Sequence, residues 1–130
     1  MERKNILKVV LLLAGIGILI AGLWYWTGPQ LATELTSDII LFYGRECPHC
    51  QDVEKFLTEN KIAEKVKFNQ LEVFHNSANQ AILTEKAKIC GVAEASIGVP
   101  FLFDALENKC LIGAPDIEDF FVKKAGDVIE

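Results

Sequence analysis

Four consecutive residues, Cys47, Pro48, His49 and Cys50, hold the most reactive side chains of the chain at a spacing of one helical turn. Two cysteines so placed at a helix start can form an accessible disulfide, and the unpaired N–H groups of the first turn point outward toward the first of them. That field favours a thiolate at Cys47, outermost in the first turn. Cys50, one turn in and on the apolar face, is expected to keep its proton until needed. The chemistry implied is thiol–disulfide exchange, in which Cys47 forms a mixed disulfide with substrate and Cys50 resolves it. Pro48 costs little in a first turn, where its missing N–H would be unpaired, and His49 supplies a donor, or a positive charge when protonated, close to the Cys47 sulfur. A stabilised thiolate leaves the disulfide form the less stable, so the pair is expected to give its disulfide away and act as an oxidant. The spacing alone is also half of a zinc site, so Cys47, Cys50 and His49 stay open as ligands of a metal-binding or metallochaperone module.

The elements around the pair give it context. Ile39, Ile40, Leu41, Phe42 and Tyr43 run in succession within Asp38 to Tyr43, the continuous apolar pattern of a central strand buried on both faces. From Cys47 to about Asn60, Cys50, Val53, Phe56 and Leu57 share one helical face, with Gln51, Glu54, Lys55 and Glu59 outside. Val66 and Phe68 alternate with Lys65 and Lys67 and predict a second strand continuing weakly to Val73; a strand–helix–strand unit favours parallel pairing. Ser77 and Gln80 fit a capping box that opens a helix to Cys90, stopped by Gly91. Phe101 to Asp104 and Lys109 to Ile112 predict an antiparallel hairpin joined by Ala105 to Asn108. A last helix begins near Pro115, turns Phe120 and Phe121 inward, and ends with Lys123 and Lys124 before Gly126. The order strand, helix, strand, helix, strand, strand, helix specifies an α/β domain of two or three layers around a mixed four-stranded sheet with flanking helices.

The composition of the 130 residues is uneven. The chain is 51% hydrophobic and 24% charged with a net charge of -5. Its length leaves no room for two full-sized domains, four cysteines are too few for a disulfide-stapled scaffold, and the acidic balance argues against nucleic acid as partner. From Val9 to Trp26 every residue is apolar or glycine, and no charge occurs between Lys8 and Glu34. Eighteen residues rise about 27 Å as a helix, close to the hydrocarbon thickness of a bilayer. The favoured reading is an uncleaved transmembrane anchor over residues 9–26; a cleaved signal peptide and a buried core helix are the competitors. Trp24, Tyr25 and Trp26 close the run as aromatic residues do at a headgroup boundary, and Gly28 and Pro29 end the helix. Arg3, Lys4 and Lys8 would keep residues 1–8 cytoplasmic and send the remainder, with all four cysteines, across a cell membrane. Residues 27–37 read as a linker and 38–130 as the folded domain. Beyond Lys8, ten basic residues face seventeen acidic ones; such a surface avoids anionic lipid, and a solvated acidic face is its simplest account.

Gly98, Val99 and Pro100 stand immediately before the hairpin, about 50 residues after Cys50. With this tripeptide and the strand–Cys-Pro-His-Cys–helix arrangement, the sequence from Asp38 to Gly126 resembles the thioredoxin/glutaredoxin superfamily, and the motif is similar to that of the DsbA-type dithiol oxidases. The resemblance implies a minimal thioredoxin (glutaredoxin-like) fold and a cis peptide between Val99 and Pro100 packed against the cysteine pair. It also implies that the Val99 backbone binds an extended substrate segment, and that Gly113 lies near the active site, where a side chain would crowd substrate. The DsbA-type helical insertion has no room here, and the buried acid that many relatives carry six residues before the first cysteine is replaced by Leu41. Proton transfer at Cys50 then falls to water or to a group such as Glu46 or Glu72. The partners implied are protein thiols and disulfides and a membrane quinone-linked reoxidase of the DsbB or VKOR type. For the reverse direction the partner would be a transmembrane electron donor, as for reductants in cytochrome c maturation. Exchange needs no bound cofactor and no metal, and a monomer is expected. A non-enzymatic assembly subunit on the same fold is a third reading, in which the cysteine pair is dispensable.

Cys90 and Cys110 form the second pair. In an oxidising compartment an even count favours a structural bridge, and closing a loop of about 20 residues is worth ~3 kcal/mol. Two separate buried thiols, or a relay to Cys47 and Cys50, are the alternatives. His75 reads as a loop histidine, and a single zinc site made of all four cysteines would need widely spaced ligands.

Overall fold

The computed structural model describes residues 2–26 and 35–127. The chain divides into two units, residues 1–34 and residues 35–130. In the first, α1 (Glu2–Trp26) is one uninterrupted helix, exposed along its described side chains and long and apolar enough to span a membrane. The expected stop at Gly28 and Pro29 and most of the expected linker lie outside the described residues. Leu35 to Ser37, assigned above to the linker, belong to the second unit. The Asn69 side chain holds this entry: its Oδ1 accepts the Thr36 N–H at 3.0 Å, and its Nδ2 donates to the Ser37 carbonyl at 2.8 Å.

The second unit contains β1 (Ile39–Tyr43), α2 (Pro48–Glu59), α3 (Ile62–Lys65), β2 (Asn69–Glu72), α4 (Ser77–Ile89), a 3-10 turn (Glu94–Ser96), β3 (Phe101–Asp104), β4 (Lys109–Ile112) and α5 (Ala114–Asp127). The strands lie in the order β2-β1-β3-β4. β1 pairs parallel with β2, Phe42 opposite Leu71, and antiparallel with β3, Phe42 opposite Phe101; β3 and β4 are the antiparallel hairpin. This is the mixed four-stranded sheet with flanking helices expected from the sequence.

Alternation along β1 sends successive residues to opposite faces, and both faces are covered. Ile39 and Leu41 join Val53 and Leu57 of α2, Ile62 of α3, and Ile117, Phe120 and Phe121 of α5. Ile40 and Phe42 join Leu71, Val73, Phe101 and Phe103 with Leu83 and Ala87 of α4. Three layers therefore stand where the sequence left two or three open, and a strand with both faces buried needs the unbroken apolar run that β1 has.

The second strand is shifted from its expected place. Lys61 takes a left-handed φ of 51° and restarts the chain as the short helix α3, whose end is marked by the Val66 N–H bonding the Ile62 carbonyl at 2.8 Å. Ile62 and Val66 enter the core as an i, i+4 pair, so the alternation at Val66 and Phe68 belongs to the approach and the strand begins only at Asn69. α4 is capped by Asn76 and not by Ser77: the Asn76 Oδ1 accepts the Asn79 N–H at 3.1 Å. Its far end is closed as expected by Gly91 at φ +70°, where the Gly91 N–H bonds Lys88 and the Val92 N–H bonds Ala87. α5 runs on through Gly126 to Asp127.

One ionic contact ties the last helix to the sheet. Asp104 is completely buried at the end of β3, with one carboxylate oxygen accepting the Leu106 N–H at 3.0 Å and the other 3.3 Å from the Lys124 ammonium.

Candidate active site

β1 finishes at the end of the sheet where β3 begins, and the turn after β1 delivers the cysteine pair there. The Cys47 N–H bonds the Gly44 carbonyl at 3.1 Å, closing the turn, and Cys47 is the N-cap of α2 with extended backbone (φ -83°, ψ 117°). As cap it uses its sulfur, which accepts the Cys50 N–H at 3.3 Å. Sulfur here takes the place of the oxygen of a serine or aspartate cap and satisfies one of the orphan donors of the first turn. Pro48 is the first helical residue, as its missing N–H allows. Both cysteines are free thiols, and Cys47 is buried rather than outermost, 8% exposed against 4% for Cys50.

Burial pushes the Cys50 thiol up to about 12, and its hydrogen bond with Cys47 adds to the effect. Cys50 borders a cavity of about 10 Å3 shared with Leu41, Tyr43, Glu54 and Gln70, about the room of a single water. Glu54 follows Cys50 by one turn on the same side of α2. The two carboxylates named above as alternatives are occupied elsewhere. Glu46 meets the His75 Nε2 at 2.8 and 3.0 Å. Glu72 accepts the N–H groups of Phe74 and His75, both at 2.9 Å, and of Arg45 at 3.4 Å. Desolvation is the largest single influence on Glu72 and acts upward; the N–H groups of His75, Phe74 and Arg45 together outweigh it and hold the carboxyl below its ordinary value.

The Cys47 sulfur lies 3.6 Å from the Val99 carbonyl. The Val99–Pro100 peptide bond is cis, Pro100 is buried, and its carbonyl accepts the Gly113 N–H at 3.0 Å. The structure thus brings Cys47 and Cys50 against Val99, and places Gly113 on the far side of the same Val99–Pro100 segment through its bond to the Pro100 carbonyl. At Gly113 a φ of +101° accounts for glycine, and an added Cβ would meet no protein atom within 4 Å. His49 stands apart. Its ring is in solvent, with Nδ1 3.8 Å from the Asp52 carboxylate, while the sulfur of Cys47 is contacted by the Cys50 N–H and the Val99 carbonyl. Among the described residues no three His, Cys, Asp or Glu side chains converge as metal ligands.

Cys90 and Cys110 are joined by a disulfide with Cα atoms 6.1 Å apart. It links the end of α4 to β4 and removes both residues from any four-cysteine zinc site.

A cleft of about 590 Å3 opens beside Cys47, lined by Pro48, Val73, Phe74, Leu83, Ile97 and Val99 with Glu46, Gln80, Thr84, Glu94 and Gly98. The Phe74 ring lies against Gly44, in the space a β-carbon there would take. Sequence reasoning missed this cleft: its walls come from four separate segments, and Phe74 and Glu94 belong to no periodic pattern. The Glu46–His75 pair, 29 residues apart, likewise left no local signal.

No family model matches the chain, and no curated protein matches it. Among solved structures, a wheat glutaredoxin aligns with a TM-score of 0.49 at 21% identity, over 71% of this chain and 82% of that one. A buckwheat glutaredoxin–glutathione complex aligns with a TM-score of 0.46 at 17% identity, over 70% and 74%.

Proposed function

We propose that the folded unit is a thiol–disulfide oxidoreductase in which Cys47 exchanges with substrate and Cys50 is the resolving thiol, working as an oxidant of cysteine pairs in exported proteins. The observation that carries the reading is the Cys47 sulfur. It caps α2, takes the Cys50 N–H at 3.3 Å, lies 3.6 Å from the Val99 carbonyl, and borders an open cleft. The Cys50 N–H is a donor to the charge the Cys47 sulfur carries as it leaves a mixed disulfide, and the likeness of Cys-Pro-His-Cys to the motif of the DsbA-type oxidases supports the oxidant direction.

In the oxidised pair, a substrate thiolate attacks the Cys47 sulfur. A substrate–Cys47 bond forms as the Cys47–Cys50 bond breaks, and Cys50 leaves with the electron pair and takes up a proton. The second substrate thiolate then attacks the substrate sulfur of this mixed disulfide and releases Cys47; the substrate loses two electrons and the pair gains them. Proton exchange at Cys50 runs through the small cavity to Glu54, with one water as carrier. The Val99 backbone holds the substrate segment beside Cys47, and Gly113 leaves that approach open.

α1 anchors the domain, with residues 1–8 cytoplasmic, residues 9–26 in the bilayer and the cysteines outside. The pair is recharged by a quinone-linked membrane oxidase. The test is scrambled-substrate oxidation by the full-length protein with Cys47→Ala as control, together with the reduction potential of the pair. A potential near about -120 mV supports the oxidant, and one near about -270 mV makes the protein a reductant fed by a transmembrane donor. Equal activity in the alanine variant overturns the assignment of Cys47.

A further inference from the structure

The cleft beside Cys47 has a charge pattern that bears on what enters it. Its volume of about 590 Å3 falls in the range of small-ligand sites, room for the residues next to a cysteine in an extended chain. Apolar walls from Pro48, Val73, Phe74, Leu83 and Ile97 suit an apolar side chain. The charged residues lining the cleft are Glu46 and Glu94, and no lysine or arginine is among them. Glu46 is fixed at the rim by its bond to His75. A substrate approaching the Cys47 sulfur therefore meets an apolar wall and two carboxylates.

We propose that the cleft selects polypeptide cysteines flanked by one apolar and one basic residue and disfavours anionic thiols, with Glu46 and Glu94 as the residues that set this preference. The proposal rests on thiol–disulfide exchange at Cys47. Charges at an exposed rim act mainly on association and are screened by salt. Two such carboxylates together yield a preference of about three- to twentyfold.

The experiment uses the full-length oxidised protein in nonionic detergent. Rates of mixed-disulfide formation at Cys47 are compared for two reduced peptides identical except for Leu-Cys-Lys or Leu-Cys-Glu, with glutathione as a small anionic thiol. The lysine peptide is expected to react about three- to twentyfold faster than the glutamate peptide, with glutathione slower still. The difference should shrink at 0.5 M salt, on the order of a Debye length of a few Å, and disappear in the Glu46→Gln, Glu94→Gln double variant. Equal rates, a preference for the glutamate peptide, or a preference that survives in the double variant overturns the proposal. No exchange with either peptide or with dithiothreitol overturns the assignment of Cys47 itself, and the proposal with it.

Discussion

Phe74 packs its ring against the backbone of Gly44, so that glycine on one loop makes room for the aromatic wall of the cleft on another. A methyl group at position 44 must displace the ring. Phe74 is 52% exposed and can swing outward, so Gly44→Ala should cost about 1 kcal/mol, the low end of overpacking. Its larger effect should be on exchange with apolar-flanked peptides, which lose the wall. Combining it with Phe74→Ala should cost less stability than the two changes added. Additive losses in denaturant titrations would show that the two residues are not in contact.

Reduction should sensitise the protein to alkali. The Cys50 thiol, pushed up to about 12 from an ordinary value near 9, binds its proton more tightly folded than unfolded. Stability from this source is complete below about pH 9 and is lost as pH rises toward 12. The oxidised protein has no such proton. Lys124 is also raised, by its bond to Glu107 first and then by Asp104, against desolvation, and so adds a loss above pH 10 in both redox states. The difference between reduced and oxidised unfolding curves cancels Lys124 and leaves the active-site thiols. Cys50→Ser in the reduced protein should abolish it, and parallel curves from pH 9 to 11 would refute a raised Cys50.

Glu54 should matter to the step at Cys50 and not to the first encounter with substrate. Glu54→Gln keeps the size of the side chain and removes the proton acceptor. Release of Cys47 from a mixed disulfide by Cys50 attack should slow about tenfold or more, in keeping with general base catalysis, and its rate should rise more steeply with pH. An unchanged pH profile would assign the proton to bulk water.

The disulfide between Cys90 and Cys110 closes a loop of 20 residues. Replacing both by alanine should lower stability by about 3 kcal/mol. Thiol titration of the denatured protein, isolated with its active-site pair reduced, should find only Cys47 and Cys50. Four reactive thiols would contradict the bridge.

Lys124→Met should be more costly than its place near a helix end suggests, because it leaves the fully buried Asp104 carboxylate without its cation. The expected loss is about 2–4 kcal/mol, reduced from the usual cost of breaking a buried pair because Lys124 is itself part-exposed. Asp104→Asn combined with Lys124→Met should recover part of it; no recovery would mean that the ammonium acts by packing alone.

Much of this was legible in the sequence where the signal was local. The unbroken apolar run at Ile39 to Tyr43 announced a strand covered on both faces, and the Cys47 to Asn60 periodicity announced the helix that carries Cys50. Where two local signals competed, the pattern misled. Val66 and Phe68 alternate like a strand, but Lys61 in a left-handed turn converts Ile62 and Val66 into a helical pair. Ser77 looked like a cap because Gln80 follows it, yet Asn76 reaches the Asn79 N–H first. The site was legible as a motif and not as a place. The parallel pairing expected of the first two strands puts the loops after them at one end of the sheet, but nothing in the spacing of Glu46, Glu72, Phe74 and His75 told which of their side chains meet there.

α4 is held at both extremities, by Asn79, whose Nδ2 donates to the Glu72 carbonyl at 2.9 Å near its start, and by the bond from Cys90 to Cys110 where it stops. A beam supported at two ends can bow but cannot slide. Gln80, Leu83 and Thr84, which face the cleft from its span, therefore keep their positions along the groove, and Leu83, buried against the sheet, holds the span close to it. Register is the fixed coordinate of the cleft.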